Sequence, residues 1–310
     1  MRRLVPTLAL LGGLAVSTAG AADRTAVSLG TATPGGGFPV YGQAVADTIN
    51  ATDATLDVQP RNTKGSTENV PLLQAGQLDI ALVQGEVALE AFGKLPIVFA
   101  MYSTPGMFVV RADSPARTIE DLKGKPVAFG ARGSGLVILA RYVLEGLGLD
   151  QQRDFQAIFL DRAGDGPAMV MDGRAAALWG GGIGWPGFTA VAGGPAGARF
   201  IVPDADGVRR IQARHAFLRR LIVPADSYPG QTEPIVSVGS WSFILARPTL
   251  PEDVGYRLAR ALHRGEADLA RRLPQARETT AGNTVAAAPS PESLHPGAAR
   301  YLKEIGGLRR

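Results

Sequence analysis

The sequence predicts an α/β fold. From Ala26 onward, short apolar β-like runs alternate with amphipathic helical stretches, which is neither a sandwich nor a bundle pattern. Glycine stands at 39 and proline at 22, which calls for many tight turns and close backbone approaches. With 310 residues, 45% hydrophobic and 19% charged, the chain is long enough for two globular domains and too apolar to be disordered.

The elements follow in order. Met1-Arg2-Arg3, the apolar run Leu4 to Val16 and Ser17-Thr18-Ala19-Gly20-Ala21 have the three parts of a secretory signal, so residues 1–21 are expected to be removed on export. Strands are expected at Ala26–Gly30, Leu56–Gln59, Asp79–Val83, Met107–Arg111, Pro126–Gly130, Ala157–Leu160 and Ala177–Trp179. A helix is expected over Ser66–Ala75, capped by Ser66 and ended by Gly76. Another spans Ser134–Leu147, where Val137, Ala140, Val143, Leu144 and Leu147 share one face, with Ser134 as cap and Gly148 as stop. The uncharged stretch Ala175–Ala198 is rich in glycine and reads as a buried strand running into a loop, since such a segment holds no stable helix in lipid. A polar turn at Arg111–Pro115 marks a boundary, and a second apolar run follows at Val236–Ala246. If both apolar runs are strands crossing between lobes, residues 22–111 and 236–310 form one lobe and 112–235 the other.

Composition excludes several chemistries. The chain has no cysteine and three histidines, His215, His263 and His295, too far apart in sequence for a local zinc pair, so no metal is expected. The net charge of +4 falls to about +2 without Arg2 and Arg3, too little for a nucleic-acid surface. No segment reads GxxxxGK[ST], and Val40 stands where GxGxxG needs its last glycine, so no nucleotide cofactor is expected.

Three Gly-rich segments each follow a strand and open a helix: Gly35-Gly36-Gly37-Phe38, Lys64-Gly65-Ser66-Thr67 and Gly133-Ser134-Gly135. Free amides and the positive end of a helix dipole suit an anion there, although each segment alone is also an ordinary capped turn.

Gly30-Thr31-Ala32-Thr33-Pro34-Gly35-Gly36-Gly37-Phe38-Pro39-Val40-Tyr41-Gly42 resembles the opening motif of the TAXI family, the solute-binding proteins of one branch of TRAP transporters. The similarity continues through Thr63–Asn69, Asp79–Gln84, Asp121–Lys125, Gly130–Gly135, Tyr228–Gln231, Val238–Arg247 and Leu294–Tyr301, in the family's order. The resemblance implies a two-lobe fold like that of type II periplasmic binding proteins, with crossing hinge strands, and a monomeric periplasmic receptor without catalysis. It would hand a small organic acid or amino acid to an ion-gradient-driven membrane permease. The sequence departs from the family where Pro39 follows Phe38, Leu136 follows Gly135, and Ala175-Ala176 precede the second-lobe strand.

Ligand contacts are expected from Thr31, at a strand's C-terminal end, from Gly36 and Gly37, and from Phe38 and Tyr41 as cleft walls. Ser66 is read either as a cap or as a ligand hydroxyl, beside Asn69. Gln84 offers an amide that recognises either end of a polar solute. Arg132 is a carboxylate clamp or a solvated loop charge, next to Ser134 and Gly135. From the second lobe, Gly182 and Pro186 are expected to face the cleft, and Trp179 to face it or pack in the core. Glu68 and Glu86 would counter a ligand's amino group or sit at the surface. One alternative is a stand-alone periplasmic receptor serving a sensor or another transporter type; the alternative of a different class is a secreted hydrolase using Ser134, although the Gly133-Ser134-Gly135 spacing is not that of a nucleophile elbow.

Overall fold

The computed structural model describes residues 24–308, so the expected export segment lies outside them. Its strands are β1 (Thr25–Gly30), β2 (Leu56–Arg61), β3 (Ile80–Gln84), β4 (Ile97–Arg111), β5 (Pro126–Ala131), β6 (Gln156–Leu160), β7 (Ala177–Gly181), β8 (Ala198–Ile201), β9 (Arg219–Val223) and β10 (Ile235–Ala246). Its helices are α1 (Gly37–Thr52), α2 (Ser66–Gln74), α3 (Gly85–Ala88), α4 (Gly135–Leu147), α5 (Gly166–Met171), α6 (Pro186–Ala192), α7 (Ala205–Arg214), α8 (Glu252–Arg272), α9 (Ala281–Ala287) and α10 (Pro296–Glu304).

All ten strands join in one connected network, ordered β2-β1-β3-β10-β4-β7-β5-β6, with β8 added to β4 and β9 to β10. β1 runs parallel to β2 and β3, and β5 parallel to β6 and β7, so each end of the network is an α/β unit with helices on its faces. Between them lie the two long strands β4 and β10, paired antiparallel.

One apolar core draws on residues from Val27 to Tyr102 and from Phe243 to Leu302, which we call the first lobe. Two further cores, built from Met107 to Val238, make up the second lobe. β4 is buried along all but its last residue and belongs to both lobes. Packing changes over inside the strands, between Tyr102 and Met107 and between Val238 and Phe243. At that point Pro105 faces Gly239, and the register of the pair slips between Trp241 and Phe243. A proline without an N–H and an irregular ladder weaken the sheet where two lobes would pivot. A Cβ at Gly239 would clash with the backbone oxygen of Thr104, so glycine permits the close crossing.

The expected strands all form, with shifted bounds. The main difference is β4, which begins at Ile97 rather than Met107, ten residues earlier, because Ile97–Tyr102 continues the same apolar run through the first lobe's core. Ser134 caps α4 by accepting from the Leu136 N–H, and Gly148 ends it in the left-handed region at φ 79°. Ser66 does not cap α2, because Gly65 occupies that position. The stretch after β7 is not only loop, for Pro186–Ala192 forms α6. Among the described residues, no helix is long and apolar enough to cross a membrane.

Candidate functional site

Strands β1 and β2 of the first lobe and β5 of the second run in opposite directions in the network, so that their carboxyl ends face each other where β4 and β10 cross, and each passes through a short Gly-rich loop into α1, α2 and α4. Ligands of open α/β sheets bind at such carboxyl ends. The first-turn amides of all three helices have no intrahelical acceptor, and the residues opening the helices, Gly37, Ser66 and the Ser134 cap of α4, border one cleft. The cleft encloses about 620 Å³, counted out to its open mouth.

The lobes touch across this cleft. The Thr67 N–H and Oγ1 both donate to the Gly133 carbonyl, at 3.2 and 3.0 Å. The Ala163 N–H donates to Thr33 Oγ1 at 3.2 Å, and the Gly164 N–H to the Pro34 carbonyl at 3.4 Å. The loops of the first lobe and those of the second are therefore hydrogen-bonded to one another, with the cleft between them.

Of the residues expected to meet a ligand, Gly36, Gly37, Phe38, Ser66, Gln84 and Ser134 line the cleft. Gly135 stands immediately behind it, where a Cβ would lie 2.6 Å from Gln84 Cβ and 3.1 Å from Ser66 Oγ. The others are placed elsewhere. Thr31 is fully buried beneath the cleft, its Oγ1 donating to the Arg61 carbonyl at 3.0 Å. Asn69 is also fully buried, its Nδ2 donating to the carbonyls of Thr31 and Leu82 at 2.8 Å each, so it ties strand ends together. Tyr41 is not a cleft wall: it sits in the first lobe's core with its hydroxyl 2.9 Å from Thr279 Oγ1. Trp179 packs in the second lobe's core, its Nε1 donating to the Leu136 carbonyl at 2.8 Å. Arg132 points to solvent, its guanidinium 5.8 Å from the centre of the Phe159 ring, and clamps nothing in the cleft. The Gly182 carbonyl accepts from the Tyr228 hydroxyl, and Pro186 opens α6. Their neighbours Gly181 and Trp185 take the cleft positions instead.

The cleft also holds residues the sequence reading missed, among them Thr33, Tyr102, Thr104, Leu136 and Trp185. Tyr102 ends the apolar run that went unread as a strand, and that run was the available signal. Its hydroxyl has no hydrogen-bond partner among the described residues, and burial together with the nearby Tyr41 and Glu278 holds it in the neutral form.

The polar atoms of the cleft are biased toward donation. Ser66 Oγ accepts from the Gln84 N–H at 3.1 Å, Ser134 Oγ from the Leu136 N–H at 3.1 Å, and Thr33 Oγ1 from the Ala163 N–H. Each hydroxyl thus has an acceptor site filled by the backbone and its own proton free. The Gln84 side chain is 3% exposed, and its Nε2 is buried without a partner.

The histidines are engaged elsewhere. His215 lies 3.5 Å from Glu145, His263 Nδ1 2.8 Å from the Tyr301 hydroxyl, and His295 caps α10 while its Nε2 meets the Leu250 carbonyl. With these partners none of the three is a base for Ser134, so the hydrolase alternative has no Ser-His pair. Among the described residues, no cluster of three metal-ligating side chains forms.

The chain belongs to the NMT1-like family, whose model matches residues 29–306. That match does not reach the finer TAXI assignment. Solved structures are similar over most of the chain. A periplasmic transporter structure matches with a TM-score of 0.56 at 15% identity, covering 90% of this chain and 93% of that one. The substrate-binding protein of an amino acid ABC transporter gives 0.51 at 13% identity, covering 82% and 100%. A periplasmic binding protein of Salmonella typhimurium with high arginine specificity gives 0.51 at 16% identity, covering 80% and 97%. At such identities the shared property is the fold, two α/β lobes joined by crossing strands.

Proposed function

We propose that this member of the NMT1-like family is a periplasmic solute receptor, exported by residues 1–21, that captures a small carboxylated solute between its lobes. Dicarboxylates, keto acids and amino acids are the solute classes that carry such a carboxylate. The single observation that carries the reading is the convergence of three helix starts and the unpartnered Gln84 amide on one cleft between hydrogen-bonded lobes. On this reading 22–111 with 236–310 and 112–235 are the moving bodies, pivoting inside β4 and β10. The ligand contacts are Gly36, Gly37, Phe38, Ser66, Gln84 and Ser134, with Tyr102 and Trp185 added from the structure. Closure buries the solute, and the closed monomer docks on a permease. The sequence motifs support a TRAP-type permease of the TAXI branch. A receptor for another transporter type is the second reading, favoured by the ABC transporter component with the same fold.

The test is a thermal-shift screen of organic acids and amino acids on residues 22–310, refolded to strip carried-over ligand. A solute at 100 times its Kd adds about 2.7 kcal/mol of stability. No shift with any acid or amino acid would sink the proposal, whereas ester turnover lost on Ser134→Ala would favour the hydrolase.

A further inference from the structure

Resting on the receptor reading, we infer that the solute is an organic anion with a single acidic head, no ammonium group and a short uncharged body. The donor inventory of the cleft carries this. At its polar end stand the starts of α1, α2 and α4, whose dipoles remain although the Thr67, Glu68, Leu136 and Val137 N–H groups are already spent on Gly133, Gly65 and Ser134, together with the unpartnered Gln84 Nε2 and the Ser66 and Ser134 hydroxyls, whose acceptor sites are already taken by backbone N–H groups. The Gln84 amide and the two hydroxyls give protons and the helix starts add positive potential, and a carboxylate offers lone pairs only.

An α-ammonium needs the reverse. It carries three donors and a charge, and once water is expelled it must meet a carboxylate or a set of free acceptors. No acidic side chain lines the cleft. The nearby carboxylates are turned elsewhere: Glu68 Oε2 accepts from the Lys64 N–H at 2.6 Å, Glu278 accepts from the Ser103 N–H at 2.9 Å, and Glu86 accepts from Ser240 Oγ through Oε2 while its unpartnered Oε1 does not border the cleft. The Gly133 carbonyl, which an ammonium could otherwise reach at the mouth, is taken twice by Thr67.

The rest of the cleft is mostly apolar, its remaining polar side chains inside the rim being the single hydroxyls of Thr33, Tyr102 and Thr104. Phe38, Leu136 and Trp185 line it together with small residues, and the sole basic side chain of the lining, Lys64, is exposed at the rim. A second carboxylate inside the closed cleft would find at most single neutral hydroxyls, with no guanidinium, buried ammonium or second set of helix amides to offset its desolvation.

The experiment uses residues 22–310, unfolded and refolded to remove bound ligand, and calorimetric titration with matched pairs that differ only at the α-carbon: pyruvate and alanine, 4-methyl-2-oxopentanoate and leucine, phenylpyruvate and phenylalanine, 2-oxoglutarate and glutamate. At least one of the three monocarboxylic oxo acids is expected to bind, its amino acid partner at least a hundredfold more weakly and 2-oxoglutarate at least tenfold more weakly. Gln84→Leu should weaken the oxo acid tenfold or more. Gln84→Glu, which keeps the side chain's shape, should shift the ratio of oxo acid to amino acid affinity by tenfold or more toward the amino acid. Tighter binding of an amino acid or of 2-oxoglutarate overturns the inference and leaves the receptor reading standing. So does an oxo acid affinity untouched by both variants in folded protein. Silence from the whole panel overturns both.

Discussion

Two cavities border the turn from β3 into α3, and the larger one is the less equipped. The cleft that receives Gln84 spans about 620 Å³ with its open mouth included, whereas a groove that receives the next residue, Gly85, spans about 1050 Å³ counted the same way. The groove is walled by Leu89, Phe92, Trp241 and Phe243, with Phe217 and Arg219 from the second lobe. No helix of eight or more residues opens onto it, and its neighbour α3 has only four. The cleft gathers three helix starts and a set of hydroxyls already turned into donors. Volume alone would favour the groove, and the convergence of peptide dipoles is what supports the cleft as the proposed site.

The largest effect that tests this contrast is expected at Gly135. A Cβ there would fall 2.6 Å from Gln84 Cβ, and both atoms are anchored to backbone, so neither moves cheaply. Gly135→Val should push the start of α4 away from Gln84 and weaken solute binding by about a hundredfold, matching the 1–3 kcal/mol typical of overpacking. Trp241→Ala, in the groove, should leave the affinity within about twofold. Titration of both variants with the solute that the wild type binds checks the pair. Equal losses would mean that the groove shares in binding and that the contrast is false.

What the sequence made legible in these two regions depended on how local the signal was. The Gly-rich loops before α1, α2 and α4 were readable because a strand end, a glycine and a helix start lie within a few residues, and those loops do meet. Tyr41 was misplaced because its motif outweighed its periodicity: Tyr41, Val45 and Ile49 recur every four residues and are all fully buried, the inward face of α1. Thr31 and Asn69 lie beside the cleft in sequence yet are consumed holding the strand ends that shape it. Tyr102, Thr104 and Trp185 come from β4 and from the loop after β7, and only the long crossing strand and the contact between lobes bring them to α1. No local pattern encodes that approach. Strands β8 and β9 went unread for a related reason: β9 begins with Arg219-Arg220 and is exposed along most of its length, so little apolar alternation betrays it.

A smaller effect separates the two cavities by pH. Glu86, two residues beyond Gln84, is 1% exposed and accepts from Ser240 Oγ, and Ser240 also lines the groove. Burial pushes its carboxyl up to about 8, against the partial relief of the Ser240 hydrogen bond. The folded value lies above the ordinary 4.5, so folding takes up a proton. The associated stability is complete below about 4.5 and is lost as pH rises through about 8. Urea unfolding should show wild-type stability falling by about 2 kcal/mol from pH 5 to pH 8 beyond any fall seen in Glu86→Gln, a figure discounted for relaxation around a newly charged buried group. Solute affinity in Glu86→Gln should stay unchanged, because Glu86 does not line the cleft. An identical pH slope in both proteins would show that Glu86 ionises freely and is not isolated in this way.

The smallest effect is expected at the mouth, where the lobes meet. The Thr67 N–H and hydroxyl share the Gly133 carbonyl, and Thr67 is exposed, so water competes for both bonds. Thr67→Val removes the hydroxyl and keeps the amide, the β-branch and nearly the same volume. An exposed neutral hydrogen bond contributes about 0.5 to 1 kcal/mol, which is a two- to fivefold change in affinity. The bond exists only when the lobes are together, so the loss belongs in the rate of solute release and not in the unfolding of either lobe. Stopped-flow fluorescence of Trp185, which lines the cleft, should report release accelerated about threefold with urea unfolding of the solute-free protein unmoved. A fall in solute-free stability with unchanged release would place that hydrogen bond in the resting protein, and the mouth would then be a fixed seam rather than a latch.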